Sequence, residues 1–229
     1  MNFIHIAGYK FTPLNNLSAL REQLKTTCAD VGLKGTILLS PEGVNIMLSG
    51  MPDAIQTIKE FLNPQFSGIC FREVPCETPP FQKMLVKIKK EIISMDKPGL
   101  LQNHTPAPYV HPTELKKWLD ENRDIILLDT RNVHEIEAGT FDKAVDLQIK
   151  NFRHFPEAIE RDELRPYKNK PIVTFCTGGI RCEKAALALQ EKGFTNVYQL
   201  EGGILNYFDQ CGRAHYHGDC FVFDDRIAE

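Results

Sequence analysis

At 229 residues, with 42% hydrophobic and 25% charged side chains, the chain can bury a real core in one large domain or two smaller ones, which removes disorder as the default. A net charge of −3 argues against whole-surface attraction to nucleic acid but allows a local basic patch. No stretch approaches the roughly 18 apolar residues of a membrane span. The first residues lack a basic segment followed by an apolar signal core, and the seven cysteines are irregularly spaced, so a cytoplasmic protein with free thiols and no membrane partner is expected.

The first part reads strand, helix, strand, strand, helix, strand. Phe3 to Tyr9 suits a strand, after which Leu14, Leu17, Leu20, Leu24 and Cys28 recur at helical spacing, with Gly32 and Gly35 framing the exit. Thr36 to Leu39 reads as a buried strand, Pro41-Glu42-Gly43 as a turn, and Val44, Ile46 and Leu48 alternate along the partner strand of a hairpin. Pro52-Asp53 opens a second helix with an apolar stripe of Ile55, Ile58, Phe61 and Leu62, and strand-like runs follow at Ile69 to Val74 and Met84 to Ile88. This is the pattern of a ferredoxin-like or acylphosphatase-like α+β domain over residues 1–93.

Residues 94–112 hold four prolines and few aliphatics without a sustained period, as a linker does. A new pattern covers residues 113–212. A helix starts at Pro112-Thr113-Glu114 and runs through Trp118 and Leu119. Ile125 to Leu128 is an apolar run without alternation, suited to a strand covered on both faces of a parallel sheet. A second such run, Pro171 to Phe175, leads into a cysteine loop. A helix through Ala185 to Leu189 follows, ending at Gly193, and Asn196 to Leu200 reads as a third strand. Strands and helices alternate as in an open α/β domain with a mostly parallel sheet. Residues 213–229 read as a C-terminal extension.

The loop Cys176-Thr177-Gly178-Gly179-Ile180-Arg181 carries the clearest chemistry. Open α/β sheets place ligands beyond the carboxyl ends of their strands, where Cys176 stands. Gly178 and Gly179 allow successive amides to converge on one point, the following helix directs its positive end there, and Arg181 adds a full charge. Cys176 is therefore expected to be an acidic, nucleophilic thiolate, and the same cradle suits an oxidised or sulfur-bearing adduct or an anionic group. Cys182, six positions on, is either a packing residue or a resolving thiol, with packing preferred. Asp129 and Arg131, at the end of the preceding strand, are read as an ion pair bracing the crevice without touching substrate.

LLDTRNVHEIEAGTF resembles the first rhodanese signature, CTGGIRCEKA the active-site loop and helix, and VYQLEGGILNY the final strand and its Gly-Gly turn. With the hairpin GTILLSPEGVNIMLSG and the ending FVFDDRIAE, nearly the whole chain is similar to the bacterial rhodanese-type tRNA uridine hydroxylases. That resemblance implies oxygen-dependent formation of 5-hydroxyuridine at wobble position 34 of tRNA, with Cys176 as the essential residue, molecular oxygen as co-substrate and the anticodon region of tRNA as partner. Members of the family continue into a cysteine-rich tail, so the ending at Glu229 is expected to be a truncation or a shorter variant. No other cofactor is evident, since the sequence holds no 2-His-1-carboxylate iron pattern, flavin fingerprint or Rossmann glycine motif. The main alternative is a persulfide-forming sulfurtransferase drawing on thiosulfate or a protein donor. A non-catalytic anion-binding module is a further one. The rhodanese-related phosphatases enclose one more residue between cysteine and arginine and are set aside.

For tRNA contact the candidates are Lys83, Lys87 and Lys89, expected on one face of a strand with Met84, Val86 and Ile88 on the other, and Arg153 in a mildly basic stretch. A solvated sheet face explains the lysines equally well. Phe152, Phe155 and Tyr167 lie in the same stretch and are read as core residues before stacking platforms. Cys211, His215, His217 and Cys220 are zinc-ligand types at a compressed spacing unlike common zinc modules, and no metal site is assigned to them.

Overall fold

Ile6, Ile37, Leu39, Val44, Ile46 and Leu48 share one face of a five-stranded sheet, because side chains alternate at a period of two along each strand. The sheet belongs to the first of two units in a computed structural model, which describes residues 3–102 and 105–222; the units are residues 3–92 and 93–222. The first comprises β1 (Phe3–Phe11), α1 (Leu17–Asp30), β2 (Lys34–Ser40), β3 (Gly43–Gly50), α2 (Pro52–Leu62), β4 (Arg72–Cys76) and β5 (Met84–Ile88). Its strand order is β4-β1-β3-β2-β5; the first four are antiparallel neighbours, and β5 joins β2 in parallel. Leu20, Leu24 and Cys28 of α1 and Ile55, Ile58 and Leu62 of α2 cover the apolar face. This is the expected ferredoxin-like α+β arrangement with one added edge strand.

One local expectation shifts. Ile69 lies before β4, not in it: its N–H bonds to Phe66 O at 2.9 Å in the turn after α2, and the strand starts at Arg72. In β5 the register pairs Val86 with Ile37 and Ile88 with Leu39, which puts both on the core face opposite Lys87 as alternation predicted, although Ile88 remains 41% exposed. Lys83, Lys87 and Lys89 are all exposed, with Lys83 and Lys89 flanking the strand.

The second unit contains β6 (Tyr109–Val110), α3 (Pro112–Asp120), β7 (Ile126–Asp129), α4 (Val133–Ile136), β8 (Gly139–Phe141), β9 (Val145–Asp146), α5 (Phe155–Ala158), β10 (Ile172–Phe175), α6 (Ile180–Glu191), β11 (Val197–Leu200), α7 (Gly203–Cys211) and β12 (Tyr216–Gly218). The main sheet, β6-β11-β10-β7-β9, is parallel at every pairing. Both faces are buried: Leu128, Ile172 and Val197 meet α5 and α6, while Leu127, Val173, Phe175 and Leu200 meet α3 and α7. That accounts for apolar runs without alternation.

The stretch expected as a linker, 94–112, belongs to this unit. Met95, Leu100 and Ala107 are buried in its core and Tyr109–Val110 adds a strand beside β11. Its few aliphatics carry no period because they come from different short pieces of backbone, Leu100 from a single 3-10 turn, Val110 from a two-residue strand, and Met95 and Ala107 from neither. The extension expected from residue 213 is likewise part of the unit as far as 222: β12 pairs with β8, and Tyr216, Cys220 and Val222 are buried. The rest of FVFDDRIAE, residues 223–229, lies outside the described residues. Among the described residues no helix is long and apolar enough to cross a membrane.

Asp129 and Arg131 brace the end of β7. Both side chains are wholly buried and doubly bonded, Arg131 Nη2 to Asp129 Oδ2 at 2.7 Å and Nε to Oδ1 at 3.0 Å. Arg131 Nη2 also donates to Gly139 O and Thr140 Oγ1 donates to Asp129 Oδ2, tying β7 to β8. Removing one partner strands the other charge without water, which costs about 3–5 kcal/mol. Asp129→Ala is expected to lower the urea stability of the second unit by that amount.

Candidate active site

Cys176 stands at the carboxyl end of β10, the central strand of the parallel sheet. The chain turns through Thr177, Gly178 and Gly179 and enters α6 at Ile180. The amino end of α7 orients this turn: Ile204 N–H donates to Cys176 O at 2.9 Å and Leu205 N–H to Thr177 O at 3.1 Å. These first-turn amides have no partner within their own helix, so the loop carbonyls satisfy them. With the carbonyls drawn toward α7, Gly179 N–H is left to donate to Cys176 Sγ at 3.1 Å.

Of the two loop glycines, Gly178 departs from expectation. Gly179 adopts φ +90° at the start of α6 and needs its freedom, whereas Gly178 has no positive φ and a Cβ there would meet nothing within 4 Å. Gly178 is exposed, so it leaves open space above the loop; it does not shape the backbone. The turn depends as well on Gly203, with φ +69°, where a Cβ would stand 2.4 Å from Cys176 O and 2.7 Å from Gly179 N.

Cys176 is 1% exposed, and burial by itself pushes its thiol up. The hydrogen bond from Cys182, the Arg181 guanidinium, and the Arg181 and Gly179 amides more than reverse this and bring it to about 6. These donors favour the thiolate form of Cys176 at neutral pH. Cys182 moves the opposite way: burial and the adjacent Cys176 hold it well above the ordinary thiol range. Arg181, 6% exposed, is fixed by Glu135 in a buried pair, with Nη1 to Oε2 at 3.0 Å. Glu135 Oε2 also accepts from Asn132 N–H at 3.1 Å, so the start of α4 holds the carboxylate in place.

Other predicted residues fall elsewhere. Asp129 and Arg131 form their own pair and make no bond to Cys176 among those described. Phe152 and Phe155 are core residues, and Tyr167 packs half-buried against them. Arg153 is exposed, its N–H and Nε turned to Asn151 Oδ1. His215 Nε2 pairs with Asp120 at 2.7 Å and His217 Nδ1 with Asp142 at 3.2 Å, while Cys220 is buried. The two imidazoles thus face separate carboxylates, and among the described residues no group of three or more His, Cys, Asp or Glu could hold a metal.

Sequence reasoning passed over three contributors. Glu135 was legible as the acidic third residue after Asn132, a capping-box spacing. Gly203 lay in a quoted motif without a role. Phe221 opens the quoted ending FVFDDRIAE but was given no role at the loop, yet Thr177 Oγ1 donates to Phe221 O at 3.3 Å and the Phe221 ring meets exposed His134 edge-on at 5.5 Å, placing an aromatic rim beside the loop.

A thiolate loop on a parallel sheet, following an α+β unit, defines a rhodanese-type protein with an acylphosphatase-like first domain. Residues 3–92 match the family described as UPF0176 acylphosphatase like domain, and residues 111–210 match the rhodanese-like domain. Over 235 aligned positions the chain is 46% identical to a protein of Cupriavidus pinatubonensis and 47% identical to one of Cupriavidus necator, in each case across 100% of this chain and 83% of the relative. A Variovorax paradoxus protein is 47% identical, covering 98% of this chain and 88% of its own length. All three are named tRNA uridine(34) hydroxylase. The chain belongs to the tRNA uridine(34) hydroxylase family.

Gly203→Ala tests the loop geometry. The added methyl displaces the backbone around Cys176, and alkylation of Cys176 by iodoacetamide at neutral pH is expected to slow at least about tenfold in a protein that remains folded, as misplaced reacting groups do.

Proposed function

We propose that this chain is a cytoplasmic enzyme that hydroxylates uridine at wobble position 34 in the anticodon region of tRNA, with Cys176 as the reacting thiolate and molecular oxygen as co-substrate. The observation that carries this reading is similarity along the whole chain, through both domains, to proteins named for that activity. The rhodanese-type loop alone would suit sulfur transfer equally well.

The site constrains how such a substrate approaches. A sulfur this enclosed cannot reach a base inside a stack, so the uridine has to be extruded toward the loop. An unpaired anticodon nucleotide meets that demand at low cost. The Thr177 to Arg181 segment supplies the donors that keep Cys176 anionic and can meet negative charge developing on the base. Exposed Lys83, Lys87, Lys89 and Arg153 are available to phosphates, which position a nucleic acid without reading its sequence. Asp129 and Arg131 serve the architecture.

The deciding experiment is nucleoside mass spectrometry of tRNA from a strain lacking its own enzyme, after incubation with wild type or Cys176→Ser under air. Wild type is expected to yield 5-hydroxyuridine and Cys176→Ser, folded normally, at most about a thousandth as much, since losing a covalent nucleophile costs several powers of ten. Product from Cys176→Ser would remove the thiolate from the reaction. No product from wild type, together with a stable gain of one sulfur on Cys176 from thiosulfate, would favour sulfur transfer.

A further inference from the structure

Both ends of the cysteine loop are tied to neighbouring segments, and those segments bring two rings together. Thr177 Oγ1 donates to Phe221 O at 3.3 Å, and Arg181 at the other end pairs with Glu135, the residue after His134. The Phe221 and His134 rings meet at 5.5 Å between centroids, with their planes at 88°. A perpendicular contact of this kind engages one face of only one of the two rings. The pair therefore forms a corner beside the loop, one ring standing at right angles to the other.

The core does not account for this corner. Cys220 and Val222 are buried in it, whereas Phe221 between them is half-buried and belongs to no apolar core among the described residues. His134 is exposed although Glu135 beside it is wholly buried. Ring area left in water is area that a flat aromatic ligand would gain by covering.

Cations stand on the same side of the fold. Val133 N–H donates to Ile149 O at 2.9 Å, which joins the start of the 149–153 stretch to the first turn of α4, where His134 lies. Lys150 and Arg153 in that stretch are exposed, and no carboxylate occurs between Asp146 and Glu157. A base taken out of its stack is held by aromatic faces and by contacts to its edge, while cations position its phosphates. Two perpendicular rings supply a face and an edge contact together.

We propose that His134 and Phe221 form the wall against which the extruded uracil of uridine 34 lies, with Lys150 and Arg153 holding the flanking phosphates. The inference rests on the proposed reaction at Cys176 and adds to it the residues that grip the base.

The test is the affinity of full-length protein, without oxygen so that no turnover occurs, for an anticodon stem-loop RNA carrying either uridine or an abasic ribose at position 34. Wild type is expected to bind the uridine RNA about tenfold more tightly, the effect of stacking one base. Phe221→Leu keeps an apolar side chain and the carbonyl that accepts from Thr177 but has no ring, and is expected to lose most of that preference. Phe221→Trp, which restores a ring, is expected to return toward wild type. His134→Ala, at an exposed position, is expected to weaken the preference too and serves should the leucine variant fail to fold.

Alkylation of Cys176 by iodoacetamide at neutral pH is followed in every variant and is expected to be unchanged, because the donors to the sulfur are retained. Equal binding of the two RNAs by wild type, an undiminished preference in Phe221→Leu and His134→Ala, or a loss that comes only with slowed alkylation overturns the inference. In the last case the ring acts by packing the loop. Formation of 5-hydroxyuridine by wild type is scored separately: its absence removes the reaction itself, whereas product formation with equal binding removes the base wall alone.

Discussion

Burying Cys176 to 1% exposure would, without compensation, keep its thiol protonated at neutral pH, because the charged form loses its hydration. The second unit is arranged around offsetting that cost. The α7 amino end draws the loop carbonyls away, which leaves the Gly179 and Arg181 amides for the sulfur, and Gly203 allows the two segments to close to a distance no side chain would permit. The parallel sheet matters because it sets β10 in the middle, so Cys176 stands at the amino end of α6 while the amino end of α7 holds the loop carbonyls.

Two buried arginines near this strand end do different work. Arg131 is engaged by Asp129, Gly139 and the β7–β8 connection, and its charge serves to hold backbone together. Arg181 is held by Glu135 at the mouth of the loop, where its charge acts on the sulfur. A carboxylate partner weakens the field of Arg181 but fixes its position, and a fixed charge favours an anion without reorganising as the anion forms.

Much of this was legible before any coordinates. Long, strongly patterned segments gave their elements directly: the leucine spacing of α1, the Val44 to Leu48 alternation of β3, and the unbroken runs of β7 and β10. The cysteine loop was readable because strand, cysteine, paired glycine, arginine and helix follow one another without a gap. The misses share a cause. Met95, Leu100 and Ala107 sit in proline-containing backbone without a period, so a core segment passed for a linker. The partners that hold the loop, Glu135, Gly203 and Phe221, come from three distant stretches brought together by tertiary folding.

The central claim is a thiolate on one buried sulfur at neutral pH. Its most direct measurement is the ultraviolet absorbance of thiolate against pH, taken as the difference between wild type and Cys176→Ser. A single step near pH 6, present in wild type and missing from the variant, is the predicted result. A difference spectrum that stays flat until the ordinary thiol range, about pH 8.5, would contradict it.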